Sequence, residues 1–447
     1  MSTSFNRKTV QEPDFIVPSS PLPLVDAIKI ALQNNPEIEM AVARINQSEA
    51  LIDEATASFW PVISTFMEYI QGDAPSAFLF KTMDQRKLQQ GVNFNDPGWF
   101  ENYEIGLKAT INLYNGGRDL LRKRMAETGL EIYELDYQSV ENALIASVIG
   151  GYFNALAAND FIEIAKESVT TVEKQLRIMR VRYEEGGALK SDVLSLEVRL
   201  AQAREDLVRA RNNYMLSIAA LSNLLGLHPN VALSCKKGEE TPLELPPDYE
   251  SGIVHALANR PELQKVRLQI IQSRMGLDVA RAGYIPRLDA QSRVYYDDPD
   301  FDFSDDRRNW TAGVILNWDL FSGFSTRAHV AKERAILEEM IAADRKTTQA
   351  VQLDLKTAYL KMAESEARLE VTKASVAQAD ETLRLVKKQY EGGSASITRY
   401  LDAELTRNKA KIRTAAALYD LQKAKAAVGR ALGIWAIFAE GVHDKYE

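Results

Sequence analysis

Two hydrophobic periodicities run along the chain and predict a mainly helical protein with a small β part. Stretches dominated by Ala, Leu, Glu, Arg and Lys, without internal proline, extend from about Gly117 to Glu185 and from Phe324 to Glu391, and this composition favours helix. At 1.5 Å per residue, each stretch predicts a helix of roughly 100 Å. Shorter helices are predicted at Pro36 to Ser58, Leu189 to Leu225, Pro261 to Gly283 and Ile397 to Leu432.

Strict alternation of apolar and polar residues predicts strands just before each long helix. It covers residues 103–113 in the first half of the chain, and residues 287–296 and 309–320 in the second, with Ile315 as an exception. Strands of about 9–11 residues that alternate throughout, with Trp and Tyr near their ends, are typical of a membrane barrel with a wet interior.

An internal duplication organises the chain. The segment 31–37 matches 256–262 at an offset of 225 residues, and later pairs such as Tyr152/Tyr359 and Gly226/Gly433 keep an offset of 207. The difference predicts an insertion of 18 residues between Pro61 and Gly106, which should lengthen the connection between the strands there. The repeats predict the following division: a lead-in 1–23, repeat 1 at 24–226 with a hairpin at about 61–113, a linker 227–250, repeat 2 at 251–434 with a hairpin at about 286–320, and a tail 435–447.

The strands of one chain are too few to close into a barrel. A soluble sheet packed on helices is the commoner structure for such a pattern, but each hairpin is flanked by helices of about 100 Å, so no other segment is available to cover its apolar face. Small barrels usually need about eight strands. Three copies would supply twelve, and the edges would then be paired between chains, as hydrocarbon requires.

Composition excludes several other classes of protein. With 54 Lys and Arg against 62 Asp and Glu, the net charge is -8, and no basic block is long enough to follow a nucleic-acid backbone. One cysteine and four scattered histidines give no metal-ligand spacing. No catalytic motif is present, so an enzyme is not expected. An acidic run before the last strand favours a solvated loop over a calcium site, because the EF-hand spacing is missing; it comprises Asp297, Asp298, Asp300, Asp302, Asp305 and Asp306.

The chain lacks the uninterrupted apolar stretch of about 18 residues that a membrane-spanning helix needs. Its first twenty residues contain Arg7, Lys8, Glu12 and Asp14 and do not read as a signal peptide. The sequence is therefore expected to be that of a mature or recombinant chain. Pro13, Pro18, Pro21 and Pro23 predict an extended lead-in, with helix beginning after the last of them.

The turns between these elements resemble those of the TolC-like outer-membrane efflux channel family, the outer membrane factors. The matching motifs are Leu113-Tyr114-Asn115-Gly116-Gly117-Arg118, Trp318-Asp319-Leu320-Phe321-Ser322-Gly323, Tyr183-Glu184-Glu185-Gly186-Gly187 and Tyr390-Glu391-Gly392-Gly393. The resemblance covers about residues 24–434. It implies duplicated α-helical hairpins that form a trimeric α-barrel, and four strands per chain that contribute to a 12-stranded transmembrane β-barrel.

The resemblance also implies partners, a location and site residues. The expected partners are two further copies of the chain, the outer-membrane bilayer of a Gram-negative bacterium, a periplasmic adaptor and an inner-membrane transporter of the RND, ABC or MFS type. No cofactor is implied, and the linker 227–250 and the termini would build an equatorial collar. Asp192 and Tyr390 match residues that close the periplasmic entrance, and Asp402 matches an acidic ring. Two departures are Ala395, where some members have a gate arginine, and Arg399, where another acidic ring residue would stand. The adaptor-contacting tip comprises Gly186, Gly187, Gly392, Gly393 and Ser394, and the membrane-facing strand residues are Ile105, Leu107, Ile111, Trp310, Val314, Leu316 and Trp318.

The function indicated is a passive conduit for substrates that a tripartite efflux or type I secretion system expels. The alternative is a soluble, elongated coiled-coil scaffold whose hairpins are packed caps. Extraction separates the two, because a conduit needs detergent and runs as a trimer, whereas a scaffold stays in the aqueous fraction.

Overall fold

The computed structural model of the chain describes residues 21–93 and 95–435. These residues divide into two compact units, one made of residues 21–44, 134–265 and 344–435, and the other of residues 45–93, 95–133 and 266–343. We call them the helical unit and the sheet unit. The helices are α1 Leu24–Asn34, α2 Pro36–Ala57, α3 Pro75–Asp84, α4 Arg118–Glu184, α5 Lys190–Leu224, α6 Tyr249–Asn259, α7 Pro261–Arg281, α8 Ser325–Glu391 and α9 Ile397–Leu432, and the strands are β1 Val62–Gly72, β2 Phe100–Tyr114, β3 Arg287–Asp298 and β4 Arg308–Asn317.

The duplication read from the sequence is present in the structure. The two long helices, α4 and α8, have 67 residues each, and the return helices α5 and α9 have 35 and 36. Each repeat therefore follows the predicted order of short helix, hairpin, long helix and return helix. The long helices begin and end within one residue of the predicted bounds.

The short helices form two consecutive pairs, α1 with α2 and α6 with α7, and one non-helical residue separates the members of each pair. The side chain of that residue caps the C-terminal end of the return helix of the same repeat. Asn35 and Arg260 precede the prolines that start α2 and α7, and a residue before proline is driven out of the helical region. The side-chain amide of Asn35 donates to the Leu224 carbonyl at the end of α5 (2.9 Å). In the second repeat, Arg260 Nη1 donates to the Ala431 carbonyl near the end of α9 (3.0 Å). The two repeats thus terminate their return helices by the same device with different side chains.

The core of the helical unit is formed largely by the middle of α4 with α1, α5 and the linker. One 18-residue stretch of α4 is apolar enough by length and composition to cross a membrane, but 61% of it is buried inside the protein. Its largest fully buried side chains are Tyr152 and Phe153, so this stretch is apolar because it lies in the core.

The sheet unit contains a single four-stranded antiparallel sheet in the order β1-β2-β3-β4 among the described residues. The first hairpin pairs Val62 with Thr110 through Gly72 with Phe100, and the second pairs Arg287 with Asn317. The two hairpins join through β2 and β3, with an irregularity between Asn112 and Tyr114. The sheet therefore consists of two hairpins side by side, one from each repeat, which fits the duplicated sequence.

Several boundaries differ from those predicted. The 18-residue insertion holds the helix α3, where only a longer loop was expected. Trp318 lies one residue beyond β4, so it is not a strand residue as predicted; its indole nitrogen donates to the Tyr284 carbonyl (3.1 Å). The helix α6 begins at Tyr249, inside the predicted linker.

Trp435, predicted to begin a tail, is fully buried, with its indole N–H donating to the Ala426 carbonyl (2.9 Å). Residues 1–20 of the predicted lead-in and 436–447 of the tail lie outside the described residues.

Candidate functional site

Apolar residues from all four strands share one face of the sheet. Cross-strand partners share a face, and Leu107 pairs with Val294, which in turn pairs with Trp310. The same connection runs from Ile111 through Ala290 to Val314. Six of the predicted membrane-facing residues therefore lie on a common face: Ile105, Leu107, Ile111, Trp310, Val314 and Leu316.

This apolar face is largely exposed in the single chain. The exposed fraction is 57% for Leu107, 72% for Trp310 and 62% for Leu316. Soluble proteins rarely expose a contiguous apolar surface of this kind without a partner or a membrane against it. The alternating pattern was thus interpreted correctly as one greasy and one polar face.

The opposite face of the sheet carries charged and amide side chains. Glu104 and Asp297 are direct cross-strand neighbours there, and Arg293 ion-pairs with Glu104. The Arg293 guanidinium also lies over the Phe66 ring, 4.6 Å from its centroid. Such a face suits contact with water rather than lipid.

The strands β1 and β4 form the two edges of the sheet. Among the described residues, neither pairs with a further strand on its outer side, so a row of backbone N–H and C=O groups stays open along each edge. In hydrocarbon, open backbone groups of this kind must be paired. The sheet is therefore a piece of a larger closed structure if it lies in a membrane.

The predicted adaptor-contacting tips are two equivalent helical turns. Gly186 and Gly393, which are related by the 207-residue offset, have positive φ angles of 77° and 76°, a conformation that glycine adopts at low cost. The next residue in each turn closes a backbone hydrogen bond to a carbonyl five residues earlier, from Gly187 to Arg182 (2.7 Å) and from Ser394 to Gln389 (2.8 Å). Only one glycine of each predicted pair has a positive φ; Gly392 does not.

The predicted gate residues lie on the first and last turns next to these tips. Tyr390 is half-buried at the end of α8, and its ring stacks on Tyr400 of α9 with 5.6 Å between centroids. The Arg182 guanidinium lies 5.8 Å from the centroid of the same ring. Burial raises the pKa of the Tyr390 phenol; the Arg182 charge lowers it and the Asp192 carboxylate raises it further. Tyr390 therefore lies against the Arg182 cation and within the electrostatic influence of the Asp192 carboxylate.

The remaining predicted gate residues occupy more open positions. Asp192 lies in the first turn of α5, and Arg399 and Asp402 are exposed on α9. A buried hydrophobic cluster close to these residues contains side chains from α4, α5, α8 and α9, including Leu176, Leu196 and Val386. This cluster packs the two helical hairpins side by side near their tips.

Two residues that the sequence reasoning missed take part in this site. Arg182 and Tyr400 contact Tyr390 although both lack a distinctive motif. Tyr400 is buried although it lies beside Arg399 and close to Asp402 in the sequence. A large aromatic residue between charged ones was a usable signal. Arg182 lies in the last turn of a helix, where basic residues are common, and the sequence carried no mark of its role.

The acidic loop between β3 and β4 folds around one carboxylate. Asp298 is fully buried and accepts hydrogen bonds from the backbone N–H of Asp300 (2.7 Å) and Phe303 (3.0 Å), and it ion-pairs with Arg307. Within residues 21–93 and 95–435, no three His, Cys, Asp or Glu side chains come together as a metal site. The Asp298 carboxylate therefore holds the two ends of the loop between β3 and β4 together.

The duplicated helical hairpins, the sheet with one greasy face and the tip turns together define an outer-membrane channel protein. The sequence model of the family described as "Outer membrane efflux protein" matches residues 27–227 and 252–434. The chain therefore belongs to this family, and it is an outer-membrane channel of the kind used by efflux and type I secretion systems.

Individual relatives are distant but cover most of the chain. The pyoverdine export outer membrane protein OpmQ of Pseudomonas aeruginosa is 23% identical over 90% of this chain and 83% of its own length. The alkaline protease secretion protein AprF of the same organism is 24% identical over 89% and 82%. Among solved structures, the CmeC outer membrane channel of Campylobacter jejuni is similar with a TM-score of 0.79 and 17% identity, over 92% of this chain and 85% of that one.

Proposed function

We propose that three copies of this chain form a closed conduit whose β-barrel has twelve strands and crosses the outer membrane. The observation that carries the proposal is the exposed apolar face of a four-stranded sheet with two open edges. Pairing β1 of one chain with β4 of the next satisfies both edges at once. It also turns every greasy face outward towards lipid and every polar face towards the lumen.

The helical hairpins continue the conduit into the periplasm. The tip turns at Gly186-Gly187 and at Gly392, Gly393 and Ser394 contact a periplasmic adaptor, which connects the conduit to an inner-membrane transporter of the RND, ABC or MFS type. The relatives named for pyoverdine export and alkaline protease secretion support both small-molecule and protein cargo for this architecture. The chain itself performs no chemistry on its cargo, and the transporter supplies the driving force.

Tyr390 and Asp192 hold the periplasmic entrance narrow, and Arg399 and Asp402 line the passage beside them. An arginine next to an aspartate places both signs of charge in the pore. The entrance therefore discriminates less strongly between cations and anions than a purely acidic ring does.

The direct test of the conduit is insertion and conductance. The purified chain, extracted in detergent, should run at about three times the mass of one chain and open discrete channels in planar bilayers. Leu107→Lys should block insertion, because a charge on the lipid face of a barrel costs about 2–4 kcal/mol near the membrane centre.

The matched control lies on the same strand. Thr110→Lys places an identical charge on the polar face of β2 and should insert and conduct like the parent chain. Equal tolerance of both substitutions, or a monomer that stays in the aqueous fraction, would contradict the proposal.

A further inference from the structure

The helix α3 lies against the polar face of the sheet. Lys81 Nζ is 2.6 Å from Glu104 Oε2 on β2 and 2.9 Å from Asp297 Oδ1 on β3. The two carboxylate side chains are only 5% and 0% exposed, and buried ion pairs are strongly weakened when one partner is removed. The helix is thus anchored to two strands through one lysine.

A second set of contacts fixes the end of the same helix. Gln85 Nε2 donates to Asn102 Oδ1 on β2 (2.9 Å), and both side chains are buried. The Asp84 carbonyl accepts from Asn309 Nδ2 on β4 (3.2 Å). Three of the four strands therefore hold α3 against the sheet in this structure.

The anchors all lie at one end of the strands. Glu104 and Asn102 are near the start of β2, and Asp297 is near the end of β3. The opposite strand ends, Tyr114 and Arg287, are the ones that lead to the helices α4 and α7. In the conduit proposed above, α3 therefore lies inside the lumen at the outer mouth of the barrel.

The surface of α3 that points away from the sheet is apolar. Phe80 is 64% exposed and Met83 is 47% exposed. These residues are three apart and share one side of the helix, while Lys81 and Gln85 occupy the other. A lumen-facing phenylalanine and methionine are unexpected beside the charged and amide groups of Glu104, Asn102 and Asp297, so a polar passage alone does not account for them.

The size of a twelve-stranded barrel allows three such helices to meet. With strands about 4.8 Å apart and tilted by about 40°, the circumference is about 75 Å and the diameter about 24 Å. A helix with its side chains is about 10 Å across. Three helices of that width span a circle of about 22 Å. The diameter of the barrel is measured between strand backbones and its inner width is smaller, so copies of α3 from three chains leave no open passage at the mouth.

We propose that α3 is a second gate, at the outer exit, in which Phe80 and Met83 of three chains meet around the pore axis as an apolar constriction. This inference rests on the proposed trimeric barrel. Apolar constrictions stop ions by expelling water, so the exit resists ion leakage while the Lys81 anchor holds. Cargo passes when α3 moves aside, and larger or more apolar cargo displaces it more readily than an ion does.

Cysteine cross-linking tests where α3 lies. The background variant is Cys235→Ser, which removes the one native thiol; burial raises the pKa of that thiol to about 12, so it reacts slowly in any case. In this background, Phe80→Cys and, separately, Met83→Cys trimers are treated with a short bismaleimide. We expect cross-linked pairs of chains from both variants.

The control cysteine is placed on the greasy face of the same unit. Trp310→Cys points towards lipid in the proposed barrel and should give no cross-link. Trimers that conduct but do not cross-link at Phe80→Cys or Met83→Cys would overturn the gate while leaving the conduit intact. Cross-linking at Trp310→Cys would reverse the assignment of the faces and overturn the conduit as well.

Conductance gives an independent measure of the same gate. Oxidation of Phe80→Cys trimers to a disulfide should lower single-channel conductance by about twofold or more, and a reductant should restore it. Lys81→Met should raise the conductance of open channels by releasing α3, whereas Lys81→Arg keeps the charge and should raise it less. A conductance insensitive to both oxidation and Lys81→Met would show that α3 does not narrow the exit.

Discussion

Tyr152 and Tyr359 occupy equivalent positions in the two repeats, and each phenol contacts a carbonyl of a segment that is not repeated. Tyr152 Oη lies 2.8 Å from the Leu22 carbonyl oxygen and 3.0 Å from that of Lys236, while Tyr359 Oη donates to the Pro246 carbonyl (3.0 Å). Leu22 also pairs with Cys235 as an isolated parallel bridge. The duplicated tyrosines therefore tie the chain before α1 and the linker to the long helices.

Removing these hydroxyls should weaken the helical unit. Each hydroxyl supplies one donor, which in Tyr152 is shared between two carbonyls, so we expect Tyr152→Phe and Tyr359→Phe each to lower the free energy of unfolding by about 1 kcal/mol. Thermal unfolding followed by circular dichroism measures both. Equal stability of the parent chain and the Tyr152→Phe variant would mean that water replaces the phenol, contrary to this interpretation.

A second pair of equivalent residues tests the packing at the ends of the return helices. Gly226 and Gly433 both have positive φ, 70° and 78°. A Cβ at Gly226 would lie 2.1 Å from the Asn34 carbonyl oxygen, whereas at Gly433 the nearest atom is the Asn259 carbonyl oxygen at 3.2 Å. Gly433→Ala should therefore cost about 1–2 kcal/mol for its backbone conformation alone.

Gly226→Ala adds a clash with backbone that a side chain cannot relieve. We expect it to lower folded yield and the unfolding temperature well beyond the effect of Gly433→Ala. The two variants are compared side by side by expression and thermal denaturation. The reverse ranking would show that the chain around Asn34 yields easily.

The buried carboxyl of Glu404 predicts a pH-dependent stability. Its Oε1 accepts from Ser168 (3.2 Å) and Asn408 (2.9 Å), and no described residue donates to Oε2. Burial raises the pKa of Glu404 above its usual value near 4.5, although Arg199 and Arg407 act in the opposite direction. The stabilisation of the protonated form is therefore fully present below about pH 4.5 and is lost as the pH rises through the raised pKa.

Glu404→Gln keeps the neutral form at every pH. We expect it to stabilise the protein by about 1 kcal/mol near neutral pH, with the gain shrinking towards pH 4. The matched control is Glu197→Gln, the equivalent position in repeat 1, where an exposed carboxylate pairs with Arg180 (2.7 Å) and contributes little. A gain for Glu404→Gln that is constant from acid to neutral pH would exclude titration as its cause.

The entrance is tested by conductance. Asp192→Ala combined with Tyr390→Phe should raise single-channel conductance by about twofold or more, because it removes polar groups that hold the entrance narrow. Tyr390→Phe retains the ring that stacks on Tyr400, so packing is preserved. Tyr183→Phe, the equivalent and exposed tyrosine of repeat 1, serves as the control. Unchanged conductance of the double variant in planar bilayers would refute this gate.

Local patterns predicted most of the helices and strands correctly. The long helices have no proline and end at paired glycines, so their bounds follow from backbone chemistry alone. The faces of the strands follow from period two, because a shift by one residue would move every apolar side chain to the other side. Because the two repeats are related by a known offset in sequence, a helix or strand assigned in one half of the chain predicted the equivalent element in the other half.

Other features depend on contacts that no local pattern announces. The helix α3 has only ten residues, and its anchors at Glu104, Asp297 and Asn309 are far away in sequence. Lys81 reads as an ordinary surface lysine until those strands come together around it. For the same reason, Tyr400 and Arg182 come into contact with Tyr390 only through the packing of separate helices. The gate roles of Tyr390, Asp192, Arg399 and Asp402 stay predictions.

The unpaired edges of β1 and β4 bear on how the protein is made. Before it assembles with other copies, a newly synthesised chain exposes two unpaired strand edges and an apolar surface. Such features promote aggregation. We therefore expect the chain to need chaperone protection on its way to the bilayer, and to complete its backbone bonding only as it assembles there. Folding of the sheet and oligomerisation are then a single event.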